Sequence, residues 1–288
     1  MVSWKRLIRF IGTDGQVYLG DAQATGDLHK LITSGQTITA KVIKGGPFDG
    51  VVTDQVVEVK TLLGPLTPED VPIVKCVGLN YMKHIKEGGR TPPPFPSIFY
   101  KPSTSVADYG EGIPIPKLAQ ENQCDYEGEL CVVIGKDGKD IPEDQALEYV
   151  VGYVSGNDVS ARTWQRDPKY AGGVPQWCFS KSFDKYAPLG PAVVSTEVIP
   201  DPGVLHLQTR VNGEIRQDTN TNDLLFDVPK IIAFISQGTT LQKGTVIMTG
   251  TPSGVAMGMK EPKWLQNGDI VEVEIENIGT LCNKMSFQ

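Results

Sequence analysis

Short apolar runs set the rhythm of this chain. Leu7–Ile11 is followed by Thr13-Asp14-Gly15-Gln16 and then by Val17–Leu19. An Asp-Gly pair between apolar runs is a hairpin signal, because the favoured tight turns need positive φ there. The pattern predicts a strand, a turn and a second strand. Residues to about 70 stay turn-rich, with breakers at Gly45-Gly46-Pro47 and Gly64-Pro65. Leu66–Pro72 reads as a linker. Residues 1–70 are therefore assigned to a small β-rich N-terminal subdomain, and 71–288 to a main domain. In the main domain the apolar runs predict strands at Ile73–Gly78, Leu130–Ile134, Val150–Val154, Leu205–Val211, Val246–Thr249 and Ile270–Glu276. Glu143–Tyr149, after Pro142, and Val228–Ser236 read as helices. Strands outnumber helices and do not alternate with them. That favours an α+β, β-rich fold over a doubly wound sheet.

Composition agrees with this turn-rich picture: 31 Gly and 21 Pro in 288 residues exceed the usual combined share of about 12%. The net charge of −7 disfavours general binding to nucleic acid or an anionic membrane. No apolar run reaches the ~18 residues of a membrane span. The N-terminal segment carries Lys5, Arg6 and Arg9, so mitochondrial targeting is the alternative to a plain first strand. The 5 Cys are scattered without a C-x-x-C pair, which argues against a disulfide framework or a structural zinc site and for a reducing, cytoplasmic setting. With 3 His, a metal site here must lean on carboxylates.

Several familiar motifs are absent. No G-x-G-x-x-G follows a strand, and there is no P-loop. Gly250-Thr251-Pro252-Ser253-Gly254 puts Ser one place away from a nucleophile elbow. Asp218-Thr219-Asn220-Thr221-Asn222 imitates half a calcium loop, but Asp223 and Pro229 stand where Gly and Glu are needed. It reads as a turn.

The carboxylates are more informative. Glu127 and Glu129 flank Gly128 and are two apart, so on a strand they share a face. Side by side, they repel unless a cation or proton intervenes. A solvated strand face is the competing reading, and it is the one preferred for Glu272, Glu274 and Glu276. Gly128, which permits close approach, and the apolar run that follows set the first pair apart. Asp158, just past the run Val150–Val154, can add a third oxygen. Such a set suits Mg²⁺ or Mn²⁺, with Ca²⁺ as a substitute. Arg162 and Gln165 become neighbours if a helix starts near Ser160, and together they could face a bound carboxylate. His84 and Glu87 lie one helical turn apart. A carboxylate behind an imidazole is the arrangement a general base needs, although an ordinary surface pair has the same spacing. The segment Gly88-Gly89-Arg90-Thr91-Pro92-Pro93-Pro94 could act as a lid hinge. Lys181, among apolar neighbours, could serve an oxyanion or simply be solvated.

In order along the chain, these motifs resemble the fumarylacetoacetate hydrolase (FAH) superfamily. The series is Val77-Gly78-Leu79-Asn80-Tyr81 with His84 and Glu87, then Asp125-Tyr126-Glu127-Gly128-Glu129-Leu130. It continues with Asn157-Asp158-Val159-Ser160-Ala161-Arg162, Ser180-Lys181-Ser182-Phe183-Asp184, Val211-Asn212-Gly213-Glu214, Thr249-Gly250-Thr251-Pro252-Ser253-Gly254 and Gly268-Asp269. The resemblance spans about 70–288. It is strongest to the branch called FAH domain-containing protein 2, which shares an N-terminal extension and the Pro188–Pro191 segment. It implies a mixed β-roll or β-sandwich and a homodimer. It implies Mg²⁺ or Mn²⁺ held by Glu127, Glu129 and Asp158, and His84–Glu87 as the acid/base dyad. Lys181, Arg162, Gln165 and Thr251 would hold a small anionic 2-oxo acid. The 166–180 segment looks longer than in close relatives, which leaves substrate shape open. Oxaloacetate keto–enol tautomerisation leads the implied reactions, with acylpyruvate-type C–C hydrolysis and oxaloacetate decarboxylation behind it. A metal-binding scaffold without turnover is the reading from another class.

Overall fold

The computed structural model describes all residues except Met1, Gly88 and Arg90. The first half supplies β1 (Arg6–Gly12), β2 (Val17–Ala22), α1 (Leu28–Thr33), β3 (Thr39–Lys44), β4 (Val51–Leu63) and β5 (Val74–Gly78). Next come α2 (Met82–Glu87), β6 (Ser97–Lys101), β7 (Val106–Ala107), β8 (Gly112–Ile115), β9 (Cys124–Asp125) and β10 (Gly128–Ile134). The middle holds β11 (Val150–Asn157), β12 (Ser160–Ala161), α3 (Arg162–Arg166), α4 (Pro168–Ala171), α5 (Trp177–Lys181) and β13 (Ala187–Ser195). The chain closes with β14 (His206–Val211), β15 (Glu214–Asn220), α6 (Val228–Ile235), β16 (Val246–Met248), β17 (Ile270–Ile275) and β18 (Gly279–Phe287).

The larger sheet runs β2-β3-β4-β1-β13-β11-β10-β16-β5-β6, and the smaller runs β15-β14-β17-β18-β8. The predicted first hairpin is present, with Ile11 opposite Val17. The N-terminal strands join the larger sheet through β1 and β13, where Leu7 pairs with Val193. Leu66–Pro72 is a tied turn and not a loose linker. Leu66 and Val71 are buried, and the Thr67 backbone N–H and hydroxyl both donate to Asp70.

Strand β10 is buried on both faces. Leu130, Val132 and Ile134 enter one core cluster, Cys131 and Val133 the other. This explains its continuous apolar run. Helix α6 forms as expected. Asp227 caps it and Pro229 opens it, while Val228, Ile231, Ile232 and Ile235 point inward at helical spacing. Glu143–Tyr149 differs from expectation and is a 3-10 stretch. Only Ala146 is buried there, so no apolar stripe stabilises an α-helix. Asp218–Asn220 complete β15, and the turn follows at Thr221–Asp223. Among the described residues no helix is long and apolar enough to cross a membrane.

Gly128 does permit a close approach, but the neighbour is the second sheet. A Cβ there would stand 2.0 Å from Thr209 Oγ1 and 3.2 Å from Gln217 Oε1. The start of β10 is thus pressed against β14 and β15. We expect Gly128→Ala to lower stability by about 1–3 kcal/mol through overpacking. Combining it with Thr209→Ala should recover part of that loss. Urea midpoints of the single and double variants check the coupling.

Candidate active site

Three carboxylates meet where β10 and β11 run side by side. The ladder pairs Gly128 with Asn157 and Glu129 with Gly156. Asn157 Oδ1 accepts the Glu127 N–H at 2.9 Å, and Glu127 O accepts the Asp158 N–H at 2.9 Å. This register brings one oxygen each of Glu127, Glu129 and Asp158 within 4.8 Å of one another, all in buried residues. Glu129 Oε2 also accepts the Gly250 N–H at 2.7 Å.

Cations surround the cluster. Lys181 Nζ donates to Glu127 Oε2 at 2.8 Å, Asp158 Oδ2 at 2.6 Å and Ser160 Oγ at 2.7 Å. Its three N–H donors are all engaged. Arg162 Nε donates to Asp125 Oδ2 at 2.8 Å, Nη2 to Glu127 Oε1 at 2.5 Å and Nη1 to Gln165 Oε1 at 3.1 Å. Each Nη keeps a further N–H. Lys101, at the end of β6, is fully buried; its ammonium lies 2.5 Å from Asp158 Oδ1 and donates to Tyr186 O at 2.6 Å.

Lys101 and Asp125 were not singled out from sequence. The alternation along Ser97–Lys101, which turns Phe99 and Lys101 inward, is the signal that could have found the lysine. Asp125 sits in the same motif as Glu127. It anchors Arg162 and accepts the Ala256 N–H at 2.8 Å and the Met257 N–H at 3.1 Å.

These contacts push the carboxyls apart electrostatically. Burial drives Glu127 up, but Lys181 and Arg162 outweigh it and hold Glu127 well below the usual range. Burial, then the charges of Asp158 and Glu127, push Glu129 well above it. Burial lowers Lys181, but Asp158 and Glu127 more than reverse that and leave it raised. With Glu129 protonated, three carboxylates balance three cations. A divalent cation would favour ionised Glu129, and an all-oxygen donor set suits a hard one.

Above the cluster lies a narrow, open pocket. His84, Glu127, Arg162, Gln165, Lys181 and Thr251 all line it, with Phe99, Trp177 and Met257 as apolar walls. Glu129 and Asp158 stand behind Glu127. Glu87 backs His84, its Oε2 3.2 Å from Nδ1, with the two side chains 30% and 14% exposed. Thr251 Oγ1 donates to Gly128 O at 3.1 Å and accepts from Gln217 Nε2 at 2.8 Å. The 166–180 segment folds through α4 and α5 and lays Trp177 on Gly78, where a Cβ would meet the ring at 2.1 Å.

Helix α2 is six residues long, too short to persist alone, and tertiary contacts hold it. Asp223 Oδ2 accepts the Lys83 N–H at 3.0 Å. Asn80, just upstream, donates to Phe226 O and Thr249 O and accepts the Phe226 N–H. The Ala256–Gly258 turn abuts Glu87, since a Cβ on Gly258 would lie 3.1 Å from its Oε2. Of the expected lid hinge, Gly88 and Arg90 lie outside the described residues. The solvated reading of Glu272 and Glu274 is corrected. Both are half-buried, because α1 lies over them; Lys30 Nζ reaches Glu274 Oε1 at 2.5 Å and His29 Nε2 lies 3.3 Å from Glu272 Oε1.

The family description "Fumarylacetoacetate (FAA) hydrolase C-terminal" matches residues 73–286. The chain belongs to the fumarylacetoacetate hydrolase family. Rat mitochondrial oxaloacetate tautomerase Fahd2a is 44% identical over 226 residues, spanning 78% of this chain and 69% of its own. Caffeoylpyruvate hydrolase of Neonothopanus nambi is 39% identical over 293 residues, spanning 98% and 93%. The crystal structure of a 5-carboxymethyl-2-hydroxymuconate delta-isomerase from Mycobacterium smegmatis superposes with a TM-score of 0.79 at 34% identity, over 98% of this chain and 100% of that one. The chain is thus an enzyme of the fumarylacetoacetate hydrolase family, with tautomerase, isomerase and hydrolase relatives. Its acidic cluster is a candidate divalent-cation site.

The raised Glu129 carboxyl makes a pH prediction for metal-free protein. The folded state keeps its proton to higher pH than the unfolded state. Its effect is therefore absent below the unfolded value near 4.5, and stability is lost as pH rises from there toward the folded value. Glu129→Gln removes this loss while retaining an oxygen for Gly250. In chelator, the variant should be more stable than wild type at pH 8 and nearly equal at pH 4.5. Urea midpoints at the two pH values test this.

Proposed function

We propose that this protein is a divalent-cation-dependent enzyme of small 2-oxo acids that works through an enolate, with oxaloacetate keto–enol tautomerisation as its leading reaction. The observation that carries this reading is one pocket lined by a carboxylate-backed histidine, His84, and by Glu127, the front member of a convergent carboxylate triad. Glu127, Glu129 and Asp158 would hold Mg²⁺ or Mn²⁺. Bound there, the cation supplies Lewis acidity toward the substrate's ketone and so acidifies the protons on C3.

The chain's own groups supply the rest. Glu87 accepts from His84 Nδ1, which leaves Nε2 with the free lone pair of a general base. His84 takes a C3 proton, and returning a proton at oxygen completes the tautomerisation. The charges of Lys181 and Arg162 favour the enolate. The remaining Arg162 N–H groups and Gln165 orient the substrate carboxylate. The Thr251 hydroxyl is occupied on both sides, so its part is to fix the wall beside Gly128.

A second reading is C–C hydrolysis of a β-diketo acid, in which the dyad activates water. The apolar walls of Phe99, Trp177 and Met257 favour it, as does the likeness to a caffeoylpyruvate hydrolase. The dyad within the pocket supports turnover over a passive scaffold.

Thermal shifts with Mg²⁺ and oxalate, an enolate mimic, test the shared core. Oxalate should stabilise wild type only with Mg²⁺, and Glu127→Gln should abolish the effect. His84→Ala should keep it while turnover falls by about 10²–10⁴-fold. Stabilisation that survives Glu127→Gln defeats the cation site, and activity that survives His84→Ala defeats the base. Enol decay, acylpyruvate cleavage and pyruvate release, assayed in parallel, separate tautomerase, hydrolase and decarboxylase.

A further inference from the structure

A second group of metal-ligating side chains lies away from the pocket. His29 from α1, Glu272 from β17 and Cys282 from β18 each offer a ligand atom within 4.8 Å of the others. Glu272 and Cys282 face each other across the β17–β18 ladder. All three residues are half-buried. The contacts around them leave the group coherent. Lys30 and Arg210 both engage Glu274. Asp27 engages Thr280 and the start of α1. Glu272 keeps His29 as its neighbour, Nε2 to Oε1 at 3.3 Å.

The far ring nitrogen of His29 matters as much. Nδ1 lies 2.7 Å from the Tyr109 hydroxyl. When that hydroxyl accepts the Nδ1 hydrogen, Nε2 presents its lone pair to the Glu272 carboxylate. Two electron-rich atoms then face each other with a thiol beside them. A ligating histidine commonly hands its second N–H to such a partner, which fixes tautomer and ring orientation.

We propose that His29, Glu272 and Cys282 bind Zn²⁺ and thereby clamp helix α1 to the β17–β18 hairpin. One nitrogen, one oxygen and one sulfur form a borderline-soft donor set that selects zinc over Mg²⁺. Zinc bonds of about 2.0–2.3 Å place tetrahedral ligands roughly 3.3–3.8 Å apart, so modest side-chain shifts close the cluster. The sulfur–zinc bond forms as the thiol proton leaves to solvent. Water takes the fourth position. The site joins the N-terminal segment to the last strands, so zinc occupancy should stabilise the whole chain.

The test uses the full chain, metal-stripped, carrying Glu129→Gln, which removes one ligand of the carboxylate site and leaves the buried cations paired. Titration with Zn²⁺ alone should show one equivalent bound and a raised melting temperature, and Mg²⁺ should do neither. Adding Cys282→Ser or His29→Gln should weaken zinc binding at least tenfold. Co²⁺ in place of zinc should give a thiolate charge-transfer band that Cys282→Ser removes. Metal-free melting of each variant confirms folding, and Cys282→Ala serves if the serine variant folds poorly. The proposal is overturned if zinc does not bind, or if it binds equally well in both variants. The latter result would assign zinc elsewhere, for instance to the surface pair His206 and Asp218.

Discussion

The structure depends on a buried charge network that meets solvent only at the pocket edge of Glu127, Arg162 and Lys181. Asp125, Glu127, Glu129 and Asp158 are buried together with Lys101, Arg162 and Lys181. Burying any one of these charges alone would cost several kcal/mol. Here each carboxylate except Glu129 has a cation, and Glu129 takes a proton or waits for a metal. The network also sets geometry. It needs the β10–β11 register, the β6 end carrying Lys101, the α5 end carrying Lys181 and the α3 start carrying Arg162. Moving any of these elements leaves an uncompensated charge.

The same network reconciles the acidic chain with the anionic substrate proposed for it. The overall charge is −7, but the site is close to neutral. A divalent cation would tip the pocket positive without a basic surface. Long-range steering is then a smaller factor than local charge.

Rigid and loosely supported parts divide the chemistry between them. Glu129 stands on β10, and Glu127 and Asp158 directly adjoin the ends of β10 and β11, two strands buried on both faces. The dyad stands on a one-and-a-half-turn helix fastened by Asp223, Asn80 and the Ala256–Gly258 turn. Such a short helix has less local support than the strands around the carboxylates. The aromatic wall of Trp177 and Phe99, whose rings lie 5.4 Å apart edge to face, comes from the 166–180 segment and β6. The apolar wall of the pocket therefore comes from parts outside the charged core.

Much of the fold was legible because strands carry their burial in their own residues. The runs at Leu7–Ile11, Leu130–Ile134 and Val150–Val154, and the capped stripe of α6, needed no tertiary knowledge. Glu143–Tyr149 misled because helix-forming residues alone do not supply an apolar face. At the site, Glu127, Glu129, Asp158, His84 and Glu87 were legible as local spacings within recognisable motifs. Lys101 was not, since a lysine at a strand end reads as solvated until the strand is known to end inside. Nor was the company of His29, Glu272 and Cys282, which lie far apart along the chain. The sequence by itself determined part of the strands (β1, β2, β5, β10, β11, β14, β16 and β17), the acidic motifs and the family. Only tertiary structure decided which charges neutralise one another, because pairing across a low-dielectric interior depends on ångströms of separation that no spacing along the chain records.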